Sequence, residues 1–382
     1  MKNESLSILE KIIENHPLRF NNPGLLTGGL GTALTLFCIH KNFNNPRLQN
    51  HANLLIDQVY GQMSQKDITF ASGLTGISFG IEHLANKGFI NRDATYNILS
   101  SIDDTFFNFI AGAKELPLNF TNGLSGFLIY LAYRIKNRDI DKKQSIILKE
   151  SLRIVINKIW DESANALSFI GKDVALDLFD PFSSTLYALA RSFNLNIYNE
   201  KIESILRVWL YALDVSYPRI SIHRLLLANS LTVLSNSIRK NKESLSVYYS
   251  SRSLHWYNLE KTMENTINRL LSSIDYEEFN EEFSSNNLRL ENGWHSITLL
   301  LWLSEQNFSK NRKIKTRLNS ERMKILKIHL HSFKEYLKKQ TLLKTPLSLN
   351  ISNGIIGVFF MMSIFPRAFE LENKKCGLSS YF

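Results

Sequence analysis

Four short stretches of the sequence share one pattern and decide the fold: Thr27-Gly28-Gly29-Leu30-Gly31, Ser72-Gly73-Leu74-Thr75-Gly76, Asn122-Gly123-Leu124-Ser125-Gly126 and Asn353-Gly354-Ile355-Ile356-Gly357. Each has two glycines three residues apart, a small polar residue before the first glycine and an apolar segment after the second. The first three copies begin at residues 28, 73 and 123, a spacing of 45 and then 50 residues. Self-similarity at this period is typical of a repeat protein.

The pattern predicts that each stretch opens a helix. The small polar residue is expected to cap the free amides of the first turn. Glycines at positions i and i+3 lie on one face of that turn, where another backbone can approach closely. Because glycine inside a helix costs about 1 kcal/mol relative to alanine, four such pairs indicate a packing requirement. A phosphate-binding loop is disfavoured, since no strand precedes the stretches and no lysine follows at the required offset. The predicted helices are Ala33–Ile39, Ile77–Leu84, Phe127–Ile135 and Val358–Phe365.

Weaker copies and intervening amphipathic segments complete the pattern. The weaker copies are Asp180-Pro181-Phe182-Ser183-Ser184 before Leu186–Ala190, Pro218-Arg219-Ile220-Ser221-Ile222-His223 before Leu225–Leu234, and Asn292-Gly293-Trp294-His295-Ser296 before Leu299–Leu303. The amphipathic segments are Ser5–Asn15, Pro46–Ser64, Asp93–Ala113, Lys143–Trp160, Lys201–Leu213, Leu259–Ser273 and Leu318–Lys338. Apolar inner helices alternating with amphipathic outer helices predict an all-α chain, an α/α toroid of about seven inner and seven outer helices in a single domain, 1–382.

Composition is compatible with a large helical core and limits the partners. The chain has 382 residues, 44% hydrophobic residues and a formal net charge of +10. The basic stretch Lys310–Lys327 could contact an acidic peptide, an acidic partner face or a phosphate backbone, or could be a solvated helix face; no nucleic-acid partner is predicted. Two cysteines, an N-terminus without a signal peptide and apolar runs shorter than about 20 residues predict a cytoplasmic protein without a transmembrane segment. The pair Asp103-Asp104 is predicted to lie on a solvated helix face.

The glycine-paired helices resemble the lanthionine synthetase C-like (LanC-like) family over about residues 25–365. The resemblance implies a peptide substrate whose cysteine thiol is added to dehydroalanine or dehydrobutyrine to form a thioether ring. It also implies a zinc ion, held by two cysteines and a histidine, that activates the thiol, with an aspartate and a histidine assisting proton transfer.

The family's motifs can be placed on this sequence residue by residue. The Trp-Cys motif falls on Tyr217-Pro218, and the Cys-His-Gly motif on Glu291-Asn292-Gly293. A register shifted by one unit uses Glu291 and then Ser352-Asn353-Gly354. The Ala-His-Gly motif falls on Phe179-Asp180-Pro181, and the acid on Asn119. Neither register contains a cysteine, because the two cysteines are Cys38 and Cys376. We therefore expect no zinc and no cofactor.

The catalytic residues are left unknown, with five cavity candidates: Asp180, Glu291, His295, Asn119 and Asn292. A set of Asp180, Glu291 and His295 could hold a different metal, although a histidine beside a tryptophan is more often a packing residue. Three hypotheses stay open. The chain is a degenerate pseudo-cyclase that binds a precursor peptide or a dehydratase-type modification enzyme. It is a cyclase with a non-standard site. Or it is a carbohydrate- or terpenoid-acting α/α barrel. Whether it is an enzyme is uncertain, and the changed motifs favour a binding protein.

Overall fold

All regular structure in the described part of the chain is helical. The computed structural model describes residues 9–10, 13–14, 20, 22–64, 66–136, 140–164, 168, 170, 177, 179–215, 218–245, 250–278, 294–309 and 311–325, with backbone alone at 214–215, 242–245, 250–258 and 294–296. Residues 312–325 are also helical. The helices with both ends defined are α1 (Gly29–Phe43), α2 (Pro46–Gln62), α3 (Leu74–Asn86), α4 (Arg92–Gly112), α5 (Leu124–Ile135), α6 (Lys142–Asp161), α7 (Pro181–Phe193), α8 (Asn199–Val215), α9 (Ser221–Leu245), α10 (Ser250–Ser272) and α11 (Trp294–Asn307).

The helices form two layers that follow the order of the chain. The odd-numbered helices pack successively on one another, from α1 against α3 through to α9 against α11. The even-numbered helices from α4 to α10 do the same, and α1, α3, α5, α7 and α9 each pack on the helix that follows them. This is the predicted alternation of an inner and an outer ring. The fourth glycine copy, Asn353–Gly357, and its helix Val358–Phe365 lie outside the described residues, as do Ser5–Asn15 in large part and Leu318–Lys338 beyond residue 325.

The glycines open the inner helices in a different way from the one predicted. Gly28, Gly73 and Gly123 are themselves the N-caps of α1, α3 and α5, and no side chain caps these three helices. The prediction that the small polar residue caps the helix is therefore wrong for these three copies. The first amide of each helix instead donates to a backbone carbonyl seven residues earlier, such as Leu74 to Asp67 at 2.8 Å. The polar residue braces the loop, as Ser72 donates to the Asp67 carboxylate at 2.7 Å.

Close backbone approach at the glycines is confirmed. A Cβ at Gly73 or Gly123 would collide with the carbonyl of the residue six positions earlier. At the second glycine of α5, Gly126, a Cβ would meet the carbonyl of Phe120 and would lie 2.7 Å from the Cβ of Phe70. Contacts this short cannot be relieved by a rotamer change, because the opposing atoms include backbone carbonyls and, at Gly126, a Cβ whose position is fixed by the backbone. The glycine pair lets the preceding loop fold back over the first turn of its own helix.

Successive loops are also joined to one another. We call residues 22–28, 67–73 and 117–123 the first, second and third glycine loops. Leu26 donates its amide to Ala71 across the first two loops, and Ala71 donates to Thr121 across the next two, both at 2.8 Å. The loops therefore form a hydrogen-bonded rim at the N-terminal end of the inner helices.

A buried ionic network lies between α3, α4 and α5. Arg134, 4% exposed, donates to Glu82 at 3.0 Å and makes a two-pronged contact with Asp103, which is 0% exposed. Tyr130 donates to the same carboxylate, and burial, followed by the charge of Asp103, raises its pKa well above the usual value. The predicted solvated face at Asp103 is wrong, because this carboxylate belongs to the interface between the rings. Within the described residues, no helix is long and apolar enough to cross a membrane.

Candidate functional site

Asn119, a predicted cavity residue, lies in the third glycine loop. Its side-chain oxygen accepts a hydrogen bond from the amide of Asn122 at 3.0 Å, and the residue is partly buried. Asparagine commonly closes a turn in this way, with its carbonyl bonded to a backbone amide a few residues on. The side chain at the position of the family's acid therefore supports the loop in front of α5.

Asp180, the second predicted residue that the structure describes with its side chain, is the N-cap of α7. Its Oδ2 accepts from the amide of Ser183 at 2.7 Å, while Pro181 occupies the first helical position. Both choices suit a helix start, because a carboxylate satisfies a free amide and proline has no amide to satisfy. The residue is partly buried and its backbone amide donates to the carbonyl of Asp177 at 3.1 Å.

A stacked aromatic pair joins the loops that carry these two residues. Phe120 and Phe179 directly follow Asn119 and directly precede Asp180, and their ring centroids are 5.1 Å apart at an interplanar angle of 4°. Both rings are partly buried. The structure thus brings the third glycine loop and the start of α7 together at the rim. We call these two rings the aromatic platform.

The remaining predicted candidates lie outside what the structure describes. Glu291 and Asn292 fall outside the described residues, and His295 belongs to α11 with its side chain outside them. A site that combines Asp180 with Glu291 and His295 therefore stays a prediction.

His223 is a site residue that sequence reasoning missed. It lies in the first turn of α9, is 3% exposed, and its Nε2 accepts from the amide of Asp177 at 3.1 Å. This contact requires a neutral imidazole whose proton is on Nδ1. It links the segment before α7 to the start of the next inner helix. The available signal was its place in the weak copy Pro218–His223, which drew attention to the helix and not to the histidine.

The described residues do not fit the zinc ion that the resemblance implies. Pro218 is buried where a cysteine ligand is placed, has no donor atom in its side chain, and its carbonyl accepts from Arg224 at 2.8 Å. Cys38 lies in α1, and burial raises the pKa of its thiol, which opposes the thiolate that a metal needs. Across the described ranges, no group of three or more His, Cys, Asp or Glu side chains could hold a metal.

Comparison with known proteins agrees with this architecture. Residues 19–177 match the family profile described as lanthionine synthetase C-like protein. The likeness to the LanC-like family lies in this first part of the chain. It is also similar to the solved structure of nisin cyclase, with a TM-score of 0.60, 14% identity, and coverage of 96% of this chain and 95% of that one. The predicted all-α, α/α toroid fold is thereby confirmed. No curated protein matches the sequence.

The family match ends before the positions on which the family's zinc-ligand motifs fall in this sequence. The profile covers the first three glycine loops and stops at residue 177, while Pro218 and Glu291 follow it. The shared part is therefore the part whose glycines are required by backbone packing. At 14% identity, the likeness to nisin cyclase shows the fold alone.

Proposed function

We propose that this LanC-like chain takes part in lanthipeptide-type maturation by binding a precursor peptide at the rim of the toroid, without zinc-dependent thioether formation. Support for the peptide comes from the family match and from the fold shared with nisin cyclase, whose name describes cyclisation of a peptide. Support for a role in binding comes from the residues that stand at the family's functional positions.

The observation that carries the proposal is the use made of Asn119 and Asp180. Each side chain accepts a hydrogen bond from a backbone amide of its own turn, at 3.0 and 2.7 Å. An amide side chain does not act as an acid or a base near neutral pH, and the carboxylate of Asp180 is engaged by the helix amide that it caps. These two positions thus maintain the shape of the rim, and Pro218 offers a metal no ligand.

The aromatic platform provides a surface suited to a peptide. Phe120 and Phe179 present partly exposed ring surface beside polar loop atoms. Aromatic anchors next to backbone donors and acceptors are a usual composition for peptide recognition, because the rings bury apolar side chains while the loops bond to the main chain.

The first test measures metal, chemistry and binding on one purified sample. We would determine zinc by elemental analysis. We would follow ring formation by mass spectrometry of a short synthetic peptide that contains dehydroalanine and cysteine, and measure binding of the same peptide with its cysteine replaced by serine. The expected result is binding at micromolar concentration with no ring formation above the uncatalysed rate. One zinc per chain together with cyclisation would overturn the proposal and favour a non-standard active site.

A matched pair of variants locates the binding. Phe179→Ala should weaken peptide binding about tenfold, because stacked aromatic contacts contribute about 0.5–1.5 kcal/mol beyond the area they bury. Tyr211→Ala removes an aromatic ring that is 76% exposed on the outer helix α8 and should leave binding unchanged. Equal binding by both variants would exclude the platform. If the peptide does not bind and a purified dehydratase does, the partner is the modification enzyme.

A further inference from the structure

The inner helices share a stripe of partly exposed residues at equivalent positions. An inner helix of a double ring has neighbours on three sides, so its fourth side faces the axis of the ring. Leu34, Phe79 and Ile129 are partly exposed in α1, α3 and α5, and so are the residues four positions later, Cys38, His83 and Tyr133. Both sets repeat with the spacing of the first glycines, 45 and 50 residues. We call these six residues the lumen stripe.

The lumen stripe is packed and largely aromatic. The rings of Phe79 and Tyr133 are 4.6 Å apart, and Tyr133 Oη lies 3.3 Å from His83 Nδ1. Burial, and secondarily the charge of Lys87, lowers the pKa of His83. The stripe is therefore mainly uncharged around neutral pH and can accept apolar side chains.

A group of cations lies at the C-terminal end of these helices, the end opposite the glycine loops. Lys41 and Arg191 are in the last turns of α1 and α7, and Lys87 and Lys136 are the C-caps of α3 and α5. All four are exposed. We call them the cationic arc. Within the part of the chain that the structure describes, none of the four makes an ion pair.

Lys41 and Lys87 lie close enough to the lumen stripe for their charges to act on Cys38. The charges of Lys41 and Lys87 both act on the thiol of Cys38, whose pKa is raised by burial and lowered in part by these two ammonium groups. Arg191 donates to Tyr187 Oη at 2.7 Å and lies over the same ring. Lys41 and Lys87 therefore lie near the C-terminal end of the stripe, while Arg191 packs on a ring of its own helix.

Helix stability alone does not account for the placement of the arc. Cations at a helix C-terminus interact favourably with the helix dipole, and this would apply to both rings. The outer helices α2, α4 and α8 nevertheless have no basic residue in their last turns. The basic residues in the last turns of α6 and α10, Lys158 and Arg269, donate to the backbone carbonyls of Ala113 and Leu213. The basic helix at 312–325 differs again, because Arg317, Arg322 and Lys324 are paired with glutamates.

We propose that the cationic arc binds an acidic, extended segment of the precursor peptide, which enters the toroid from the end opposite the glycine loops. Contacting helices lie about 8–10 Å apart, and an extended chain advances about 3.3 Å per residue. Carboxylates three residues apart on the peptide would therefore meet cations on neighbouring inner helices. An arc around an axis suits a single chain better than a duplex, which needs cations along a rod. The inference rests on the proposed function, since that function supplies the peptide.

The test uses a fluorescein-labelled peptide with glutamate at every third position and serine and glycine between. Fluorescence anisotropy would compare the full-length wild-type chain with a Lys41→Gln, Lys87→Gln, Arg191→Gln variant. The matched control is Lys142→Gln, Lys143→Gln, Lys149→Gln, which removes the same charge from exposed positions on the outer helix α6. Exposed ion pairs are individually weak, so three together should change the dissociation constant about tenfold. The difference should shrink in high salt.

The expected result is tenfold weaker binding by the arc variant, wild-type binding by the control, unchanged thermal unfolding of both, and no binding of a glutamine version of the peptide. Equal loss in the two variants would overturn the inference, because it would indicate net charge alone. So would unchanged binding by the arc variant together with a lower unfolding temperature, which would indicate the helix dipole. Single-stranded DNA that competes with equal affinity would also overturn it, since the ligand would then be any polyanion. Binding of the dehydrated model peptide to the arc variant is measured in parallel. Failure of the proposed binding at the rim is then distinguished from failure of the proposed binding at the cationic arc.

Discussion

Replacing Arg134 by methionine should lower the free energy of unfolding by about 3–5 kcal/mol. The guanidinium is 4% exposed and donates to Asp103 and to Glu82, the latter at 3.0 Å. Methionine fills much of the same volume, so the change is mainly electrostatic. Two carboxylates that are 0% and 1% exposed would lose their cation, and a buried charge without a partner is strongly destabilising.

The assay is urea-induced unfolding followed by far-UV circular dichroism, with the slope compared between variants so that a change in cooperativity is recognised. Arg153→Met is the matched control, because Arg153 also makes an ion pair, with Glu150 at 3.2 Å, but is 55% exposed. Its loss should change the free energy of unfolding by no more than about 0.5 kcal/mol. A loss below about 1 kcal/mol for Arg134→Met would refute the reasoning, since it would require that water reaches the two carboxylates.

A second variant separates charge from packing. The combination Glu82→Gln, Asp103→Asn, Arg134→Met removes all three charges and keeps the side chains near their original size. It should be more stable than Arg134→Met alone, because neutral side chains are far less costly to bury than unpaired carboxylates. Equal or lower stability of the triple variant would mean that hydrogen-bond geometry, and not charge, holds the interface.

Three further predictions concern the rim and the lumen stripe. Gly126→Ala should lower the free energy of unfolding in urea by about 1–3 kcal/mol, because the new Cβ would meet the preceding loop. Gly112→Ala is the control and should be neutral or stabilising, because a Cβ there would have nothing within 4 Å. Equal effects of the two variants would contradict the packing argument. Because the folded-state pKa of His83 is lowered, the protein should be most stable above the ordinary histidine value of about 6.5 and should lose stability as pH falls through the folded value. His83→Gln should remove the contribution of this histidine to the pH dependence of the free energy of unfolding, measured from pH 7 to 5. An unchanged pH dependence in the variant would assign it to other groups. In a Cys376→Ser variant, the thiol of Cys38 should react with iodoacetamide more slowly than free cysteine at pH 8, since burial raises its pKa; a faster rate would indicate an activated thiolate.

The inner helices could be predicted from sequence because their signal is local. Two glycines three residues apart and an apolar run are contained in a few residues, and α1, α3 and α5 begin at those glycines or one residue after them. The contact between Phe70 and Gly126 was beyond prediction, because it joins residues of different units. Close approach could be inferred, but the backbone that approaches could not be named.

Asp103 shows where pattern reasoning can mislead. It lies four residues after Leu99 and three before Phe106, so its position on α4 belongs to the buried face. The doubled aspartate suggested solvent instead, because carboxylates are rarely buried without a cation. That cation, Arg134, is 31 residues away on another helix. Helical periodicity places Asp103 on the buried face of α4, but it does not identify the cation that makes burial of this carboxylate possible.

The candidate site divides in the same way. Placing the family's motifs on the sequence led to Asn119 and Asp180, and both lie at the rim. Each sits in a turn that can be recognised from the few residues around it. His223 was missed because its partner is the backbone amide of Asp177, an atom that every residue but proline possesses. A hydrogen bond to a main-chain amide does not depend on the residue type of the partner, so no sequence pattern could have indicated this contact.

The hydrogen bonds from Leu26 to Ala71 and from Ala71 to Thr121 have a consequence for folding. Each loop donates to the loop that follows it, and Phe70 sits on a glycine of the next unit. A single unit formed alone would leave these amides and apolar surfaces without partners, so units should gain stability only as neighbours are added. The chain then assembles as a series of coupled steps, each favouring the next, and a fault at one glycine weakens the adjoining unit as well as its own.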